Sequence, residues 1–245
     1  MIRPRRRPRR HAVAACLAVL SLGPAVACSP PDPSTSKIVV VFVDVSGSVK
    51  DADLYRQAWA TITDRLAEGD RVLLGQIGSE TFTRFRPAVD RELPVFSLSE
   101  NRLRFNLDLA RIRGEITTAI DRALEAPPSA HTDILNTMLL AQKIFEGDPR
   151  RRVLVLLSDM IEDSPAYNFE REAISEAFTE RVIADRRDEG RLPDLGGAHV
   201  YVAGASARTA ERALAVQDFW MAYVTAAGGT LENRHYAPAL LAFDE

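Results

Sequence analysis

Apolar residues fall along this chain in two alternating patterns. Lys37 to Val45 is a nearly unbroken apolar, β-branched run, the pattern of a strand buried on both faces. Arg71 to Gly78 (RVLLGQIG), Arg152 to Leu157 (RVLVLL) and His199 to Ala203 repeat it, and Leu231 to Tyr236 predicts a last strand. The stretches between them follow a helical period. In Asp51 to Ala67, Leu54, Ala58, Ile62 and Leu66 recur every fourth position, and Gly69 ends the run. In Thr132 to Phe145, Ile134, Met138, Ala141 and Phe145 line one face, which Leu135 and Leu139 widen. Further helices are predicted over Arg104 to Glu125, closed by Pro127-Pro128, over Asn168 to Arg186, and over Thr209 to Ala227, stopped by Gly228-Gly229. Thr81 to Leu98, with Pro87 and Pro94, has room for an edge strand. No internal repeat is present. Strands alternating with helices predict an α/β fold: a mostly parallel central sheet with helices on both faces, Rossmann-like.

Such sheets bind ligands outside the carboxyl ends of their strands, and polar residues gather there in this chain. The first predicted strand runs straight into Asp44-x-Ser46-x-Ser48, and the run RVLVLL ends in Ser158-Asp159. Taken alone, Asp44, Ser46 and Ser48 admit three readings: turn chemistry after a strand, a nucleophile, or ligands of one metal ion. Thr132, taken alone, reads as the N-cap of the helix it opens. Asp159 alone reads as a cap or a solvated loop residue.

The first 27 residues differ from the body. Six arginines lie between Arg3 and Arg10, followed by a 12-residue, largely apolar run from Ala12 to Gly23. That run is too short to span a bilayer, which takes about 20 residues, and the order is that of a secretory signal peptide over residues 1–27. Ala25-Val26-Ala27-Cys28 resembles a bacterial lipobox, which implies lipidation of Cys28; the same residues also fit ordinary signal cleavage, leaving a secreted protein. Residues 28–36 are a Pro/Ser-rich tether. The expected location is therefore the cell envelope, with membrane contact through the N-terminal lipid alone. Both cysteines of the chain, Cys16 and Cys28, fall in this leader region, so the body has no disulfide framework and no thiolate site. Without the leader arginines the charge is 25 basic against 34 acidic residues, and no long basic block survives. That argues against a nucleic-acid partner and against electrostatic docking on anionic lipid.

The order Asp44-x-Ser46-x-Ser48, then Thr132 in His131-Thr-Asp-Ile-Leu135, then Asp159 in Leu156-Leu-Ser-Asp159, resembles the von Willebrand factor type A (VWA) domain and its metal-ion-dependent adhesion site. The resemblance covers residues 37–245, and Ala226-Ala-Gly-Gly-Thr230 looks like the glycine-bearing stretch before that family's last strand. It implies a VWA fold and a divalent cation held by Asp44, Ser46, Ser48, Thr132 and Asp159. Mg²⁺ is expected, with Mn²⁺ or Ca²⁺ as alternatives, because hydroxyls and carboxylates are hard oxygen donors. It further implies a non-enzymatic protein-binding module whose partner offers an Asp or Glu to the metal. One departure is visible: the third loop usually reads Asp-Gly, and here Met160 follows Asp159. Glu162 and Asp163 crowd the same rim and read as a solvated acidic loop, with ligands of a second cation as the alternative, and His131 reads as a surface residue.

Two other classes stay open. A strand-end aspartate with a dication is also the arrangement of Mg-dependent phosphohydrolases of the haloacid dehalogenase type, but these need D-x-D, and position 46 is serine. No G-x-S-x-G, P-loop or H-E-x-x-H motif is present. A structural VWA domain without metal-dependent binding is the other alternative.

Overall fold

The computed structural model describes residues 36–46, 52–78, 85–125, 127, 129–240 and 243. The predicted signal peptide, Cys28 and Ser48 lie outside these residues. Ser36, assigned above to the tether, belongs to the fold: it is buried and its carbonyl accepts from Arg151 N at 3.1 Å.

Among the described residues six strands form one sheet: β1 (Lys37–Asp44), β2 (Arg71–Ile77), β3 (Val89–Glu92), β4 (Arg151–Leu157), β5 (His199–Ala203) and β6 (Thr230–Ala237). Their order is β3-β2-β1-β4-β5-β6. Every pairing is parallel except β2 with β3 at the edge. The continuous apolar run of β1 is explained by its central place, with all eight residues buried.

Alternate β1 residues face opposite layers. Val39, Val41 and Val43 pack with Tyr55, Trp59 and Ile62 of α1 (Ala52–Asp64), Ile116 of α2 (Arg102–Thr117) and Ile120 of α3 (Ala119–Leu124). Ile38, Val40 and Phe42 pack with α4 (Ile134–Phe145), α5 (Glu176–Asp188) and α6 (Ala210–Ala226). The result is the predicted three-layer, Rossmann-like α/β fold.

Two helix expectations need correction. The helix predicted over Arg104 to Glu125 is broken at Thr118, whose hydroxyl bonds back to Gly114 O. The helix predicted over Asn168 to Arg186 starts only at Glu176, capped by Ser175. Asn168 pairs instead with Asp163 and turns its own side-chain oxygen onto Glu170 N and Arg171 N. That local Asx bonding competes with helix, so the apolar period continues without the conformation.

The fold sets the carboxyl ends of β1 and β4 apart from those of the other strands. The chain leaves β1 toward α1 on one face and leaves β4 toward α5 on the other. Strand order reverses between β1 and β4, the topological switch point where open α/β sheets bind ligands.

Candidate metal centre

Asp44 ends β1 at this switch point and is completely buried. Its Oδ1 accepts from Ser46 N at 2.8 Å, which turns the first loop over the carboxylate. Its Oδ2 accepts from Ser158 Oγ at 3.0 Å. Val43 pairs with Leu157 across the two strands, so Asp44 and Ser158 are the next residues along and Asp159 follows at the rim. Among the described residues no lysine or arginine pairs with Asp44.

The second and third loops are fastened to this point by backbone. Ser46 and Ser129 form an isolated parallel bridge between the first and second loops. Thr132 and Asp163 form an antiparallel one between the second and third, exchanging N–H···O bonds of 3.0 and 2.9 Å. Three segments that are far apart in sequence, carrying Asp44 and Ser46, Thr132, and Asp159, thus meet at one end of the sheet. Ser48, the remaining predicted ligand, is outside the described residues.

Thr132 does not cap α4. The N-cap is Asp133, which accepts from Asn136 N at 3.0 Å. The Thr132 side chain is therefore released from the role its position suggests. It is nearly buried, and no hydrogen bond of its hydroxyl is seen among the described residues.

The acidic rim is also not what the sequence suggests. Glu162 is fully buried rather than solvated. Its Oε2 accepts from Ile134 N at 2.8 Å and Leu135 N at 3.2 Å, closing two of the open amides at the start of α4. Among the described residues no hydrogen bond of its Oε1 is seen. Burial, then the charge of Asp133, pushes the Glu162 carboxyl up to about 8. Asp163 stays at the surface, bonded by Asn168 Nδ2 at 2.7 Å and beside exposed His131 at 3.4 Å.

Met160, where the family pattern has glycine, adopts φ 67° and is the non-glycine residue with positive φ among those described. The left-handed backbone that glycine would supply is kept despite the side chain. Neighbours hold it there: Met160 N donates to Ser158 Oγ at 3.0 Å, and Met160 O accepts from Trp220 Nε1 at 2.9 Å. The side chain itself is buried in the core. Beside it Asp159 accepts from Ile161 N at 3.0 Å, which orients the carboxylate.

Sequence inspection missed Tyr55. Its buried phenol is driven well above the ordinary tyrosine range by burial, then by the charges of Asp44 and Asp159. The charges of both carboxylates are therefore felt at one buried hydroxyl. Gly204 makes room for that ring: it has φ 103°, and a Cβ there would stand 2.8 Å from Tyr55 Cε1 and 2.9 Å from Ser158 O. A single tyrosine in a helical period carries no sequence signal of this role.

Among the described residues no three His, Cys, Asp or Glu side chains gather as a metal site. The expected donor set has only two carboxylates, with hydroxyls for the rest, so a carboxylate-rich cluster is not what it requires. The residues present fit a hard dication on two grounds. Asp44 is a buried carboxylate with no basic partner among the described residues, and Thr132 is a buried residue without a role in capping.

No protein-family model and no curated protein matches the chain. Similar solved structures include a von Willebrand factor type A protein from Catenulispora acidiphila, at 14% identity and TM-score 0.41 over 80% of this chain. Another is the pilus adhesin SpaC from Lactobacillus rhamnosus GG in its open conformation, at 11% identity and TM-score 0.47 over 82%. A third is the conserved hypothetical protein BatB from Bacteroides thetaiotaomicron, at 13% identity and TM-score 0.39 over 83%. The chain spans 43% of the first, 28% of the second and 90% of the third. Likenesses at this level carry no argument about activity or partners. The Rossmann-like α/β architecture expected of a VWA domain rests on the chain's own sheet order.

Proposed function

We propose that this chain is a VWA-type binding module of the cell envelope. In this reading Asp44, Ser46, Ser48, Thr132 and Asp159 hold a divalent cation, Mg²⁺ in the first place, and the module binds an Asp or Glu of a protein partner there. The observation that carries the reading is the meeting of three loops, tied by two backbone bridges, around a buried Asp44 that no basic side chain among the described residues neutralises. Burying a carboxylate is costly unless charge and hydrogen bonds compensate it, and Asp44 has hydrogen bonds on both oxygens but no cationic partner among the described residues. The cation, when bound, supplies that charge and an electrophilic position for a partner's carboxylate.

The chain's own residues do the rest. Ser158 and Ser46 fix both oxygens of Asp44, Asp133 takes over capping so that Thr132 is available, and Glu162 pins the third loop to the second. The complete burial of Asp44, with both oxygens already accepting, suits a ligand or an anchor of bound water better than a nucleophile. Cys28 is proposed as the lipid attachment point, tested by mass spectrometry of the mature protein. Binding is tested by pull-down from envelope extracts with and without EDTA. A partner retained by wild type, and lost both with EDTA and in Asp44→Ala, supports the reading. Capture indifferent to both overturns it.

A further inference from the structure

The end of the sheet opposite the metal centre has a surface that this role does not use. Among the described residues, α2 buries only Phe105 and Ile116. Its outward side presents Leu103, Leu107, Ala110 and Gly114 at i, i+4, i+7 and i+11, all exposed, one continuous face of a helix. Leu98 precedes it in the approaching turn. Leu98, Leu103 and Leu107 are 81%, 70% and 64% exposed, where a soluble helix normally carries polar groups. Between positions 101 and 114 stand four arginines and one acidic residue, Asp108. Arg102 lies over the Phe96 ring at 4.4 Å, and Arg104 is exposed.

The location of this helix is fixed by the turn that also holds the start of the fold. Lys37 N donates to Asp70 Oδ1 at 2.9 Å, and Lys37 Nζ donates to Arg65 O at 3.1 Å. The same turn takes Leu93 N on Asp70 O at 2.8 Å and Arg113 Nη2 on Leu66 O at 3.0 Å. Both ends of the 93–113 segment are thereby tied beside the point where the chain enters β1. From Ser36 back to Cys28 there are eight peptide links, at most roughly 28 Å even when fully extended.

The sequence implies membrane contact through the N-terminal lipid alone; in its place we propose that the exposed face of α2, with Leu98, Leu103 and Leu107 at its centre, also rests on the lipid surface to which the chain is anchored. This rests on the lipid-anchor reading of Cys28. Leucines on one side of a helix, bordered by arginines, suit the boundary between acyl chains and head groups, with the guanidinium groups among the phosphates. No helix among the described residues is long and apolar enough to cross a membrane, so this contact lies in the plane of the surface. A short tether brings the helix within reach of the bilayer. The resting contact would orient the body with β1's start toward the membrane and the metal centre away from it, open to a partner.

The test is made independent of natural acylation. The chain from Cys28 onward, which carries no other cysteine, is coupled through that thiol to a maleimide lipid. The vesicles are phosphatidylethanolamine with about one quarter phosphatidylglycerol. Amide exchange over residues 103–114 is expected to slow at least about threefold relative to the uncoupled chain. Leu103→Asp with Leu107→Asp is expected to restore the uncoupled rate on vesicles and to fold normally, since both side chains are exposed. Unchanged exchange on coupling overturns the proposal, as does slowing that survives the double substitution. Slowing that disappears when the coupled protein is diluted on the vesicle assigns the face to a second copy and also overturns it. An unmodified Cys28 in the native protein would remove the anchor without touching this result.

Discussion

Ser158 Oγ donates to Asp44 Oδ2 at 3.0 Å and accepts from Met160 N at the same distance, joining residues that stand 114 apart in sequence. One hydroxyl thus fixes the first loop's carboxylate and the third loop's backbone together.

Ser158→Ala removes both contacts. A hydrogen bond to a charged group contributes about 1.5–3 kcal/mol, and loss of that order is expected in urea unfolding at neutral pH. The cation response of the protein should weaken along with it. Unchanged stability would show that Ser158 does not organise the site.

Met160 sets two effects against each other. A non-glycine residue in the left-handed region costs on the order of 1 kcal/mol, whereas emptying a buried methionine site costs about 2–5 kcal/mol. Burial should win, so Met160→Gly is expected to be less stable than wild type. Met160→Ala keeps the strain and also loses the side chain, so it should be about 1 kcal/mol less stable than Met160→Gly. Thermal or urea unfolding of the three proteins gives the order, and the reverse order would place the strain elsewhere.

Gly204 is required by a close approach rather than by local sequence. Gly204→Ala would set a methyl 2.9 Å from Ser158 O on a backbone with φ 103°. Because the neighbour is backbone and cannot swing away, a loss of about 2 kcal/mol or more is expected. Stability within error of wild type would contradict the packing of Tyr55 against this strand end.

Glu162 has the opposite pH dependence to a salt-bridged carboxylate. Its folded carboxyl sits at about 8, raised by burial and then by Asp133, against about 4.3 in an unfolded chain. The folded state therefore holds the proton more tightly. The stability this group contributes is fully present below about pH 4.3 and is lost as pH rises toward 8. Glu162→Gln, which carries no charge at either pH, should flatten that decline. Unfolding measured between pH 5 and pH 8 is expected to show the variant gaining on wild type as pH rises. Parallel curves would mean that Glu162 is ionised throughout.

The strand-end positions of Asp44 and Asp159 were legible because a buried parallel strand writes itself as an apolar run that stops where polar residues begin. Thr132 was legible only through its order between them, since its own neighbourhood reads as a helix cap, a role that Asp133 takes. Glu162 was not legible. Its burial comes from α4's amides, nearly thirty residues earlier in the chain, and local sequence there shows only acidic residues in a row. The same limit applies to Tyr55 and Gly204, whose roles exist only once β5 and α1 lie side by side. Among the helices, the break at Thr118 and the late start of α5 come from side-chain bonds to nearby backbone, which apolar spacing does not register.

The most direct measurement is the melting temperature of wild type and Asp44→Ala during titration with Mg²⁺. Saturation at a hundred times the dissociation constant stabilises a folded protein by about 2.7 kcal/mol. For a chain of this size that is an upward shift of roughly 5–11 °C. The cation site predicts that shift in wild type and none in Asp44→Ala. Melting temperatures that stay constant in both proteins with Mg²⁺, Mn²⁺ and Ca²⁺ would contradict it.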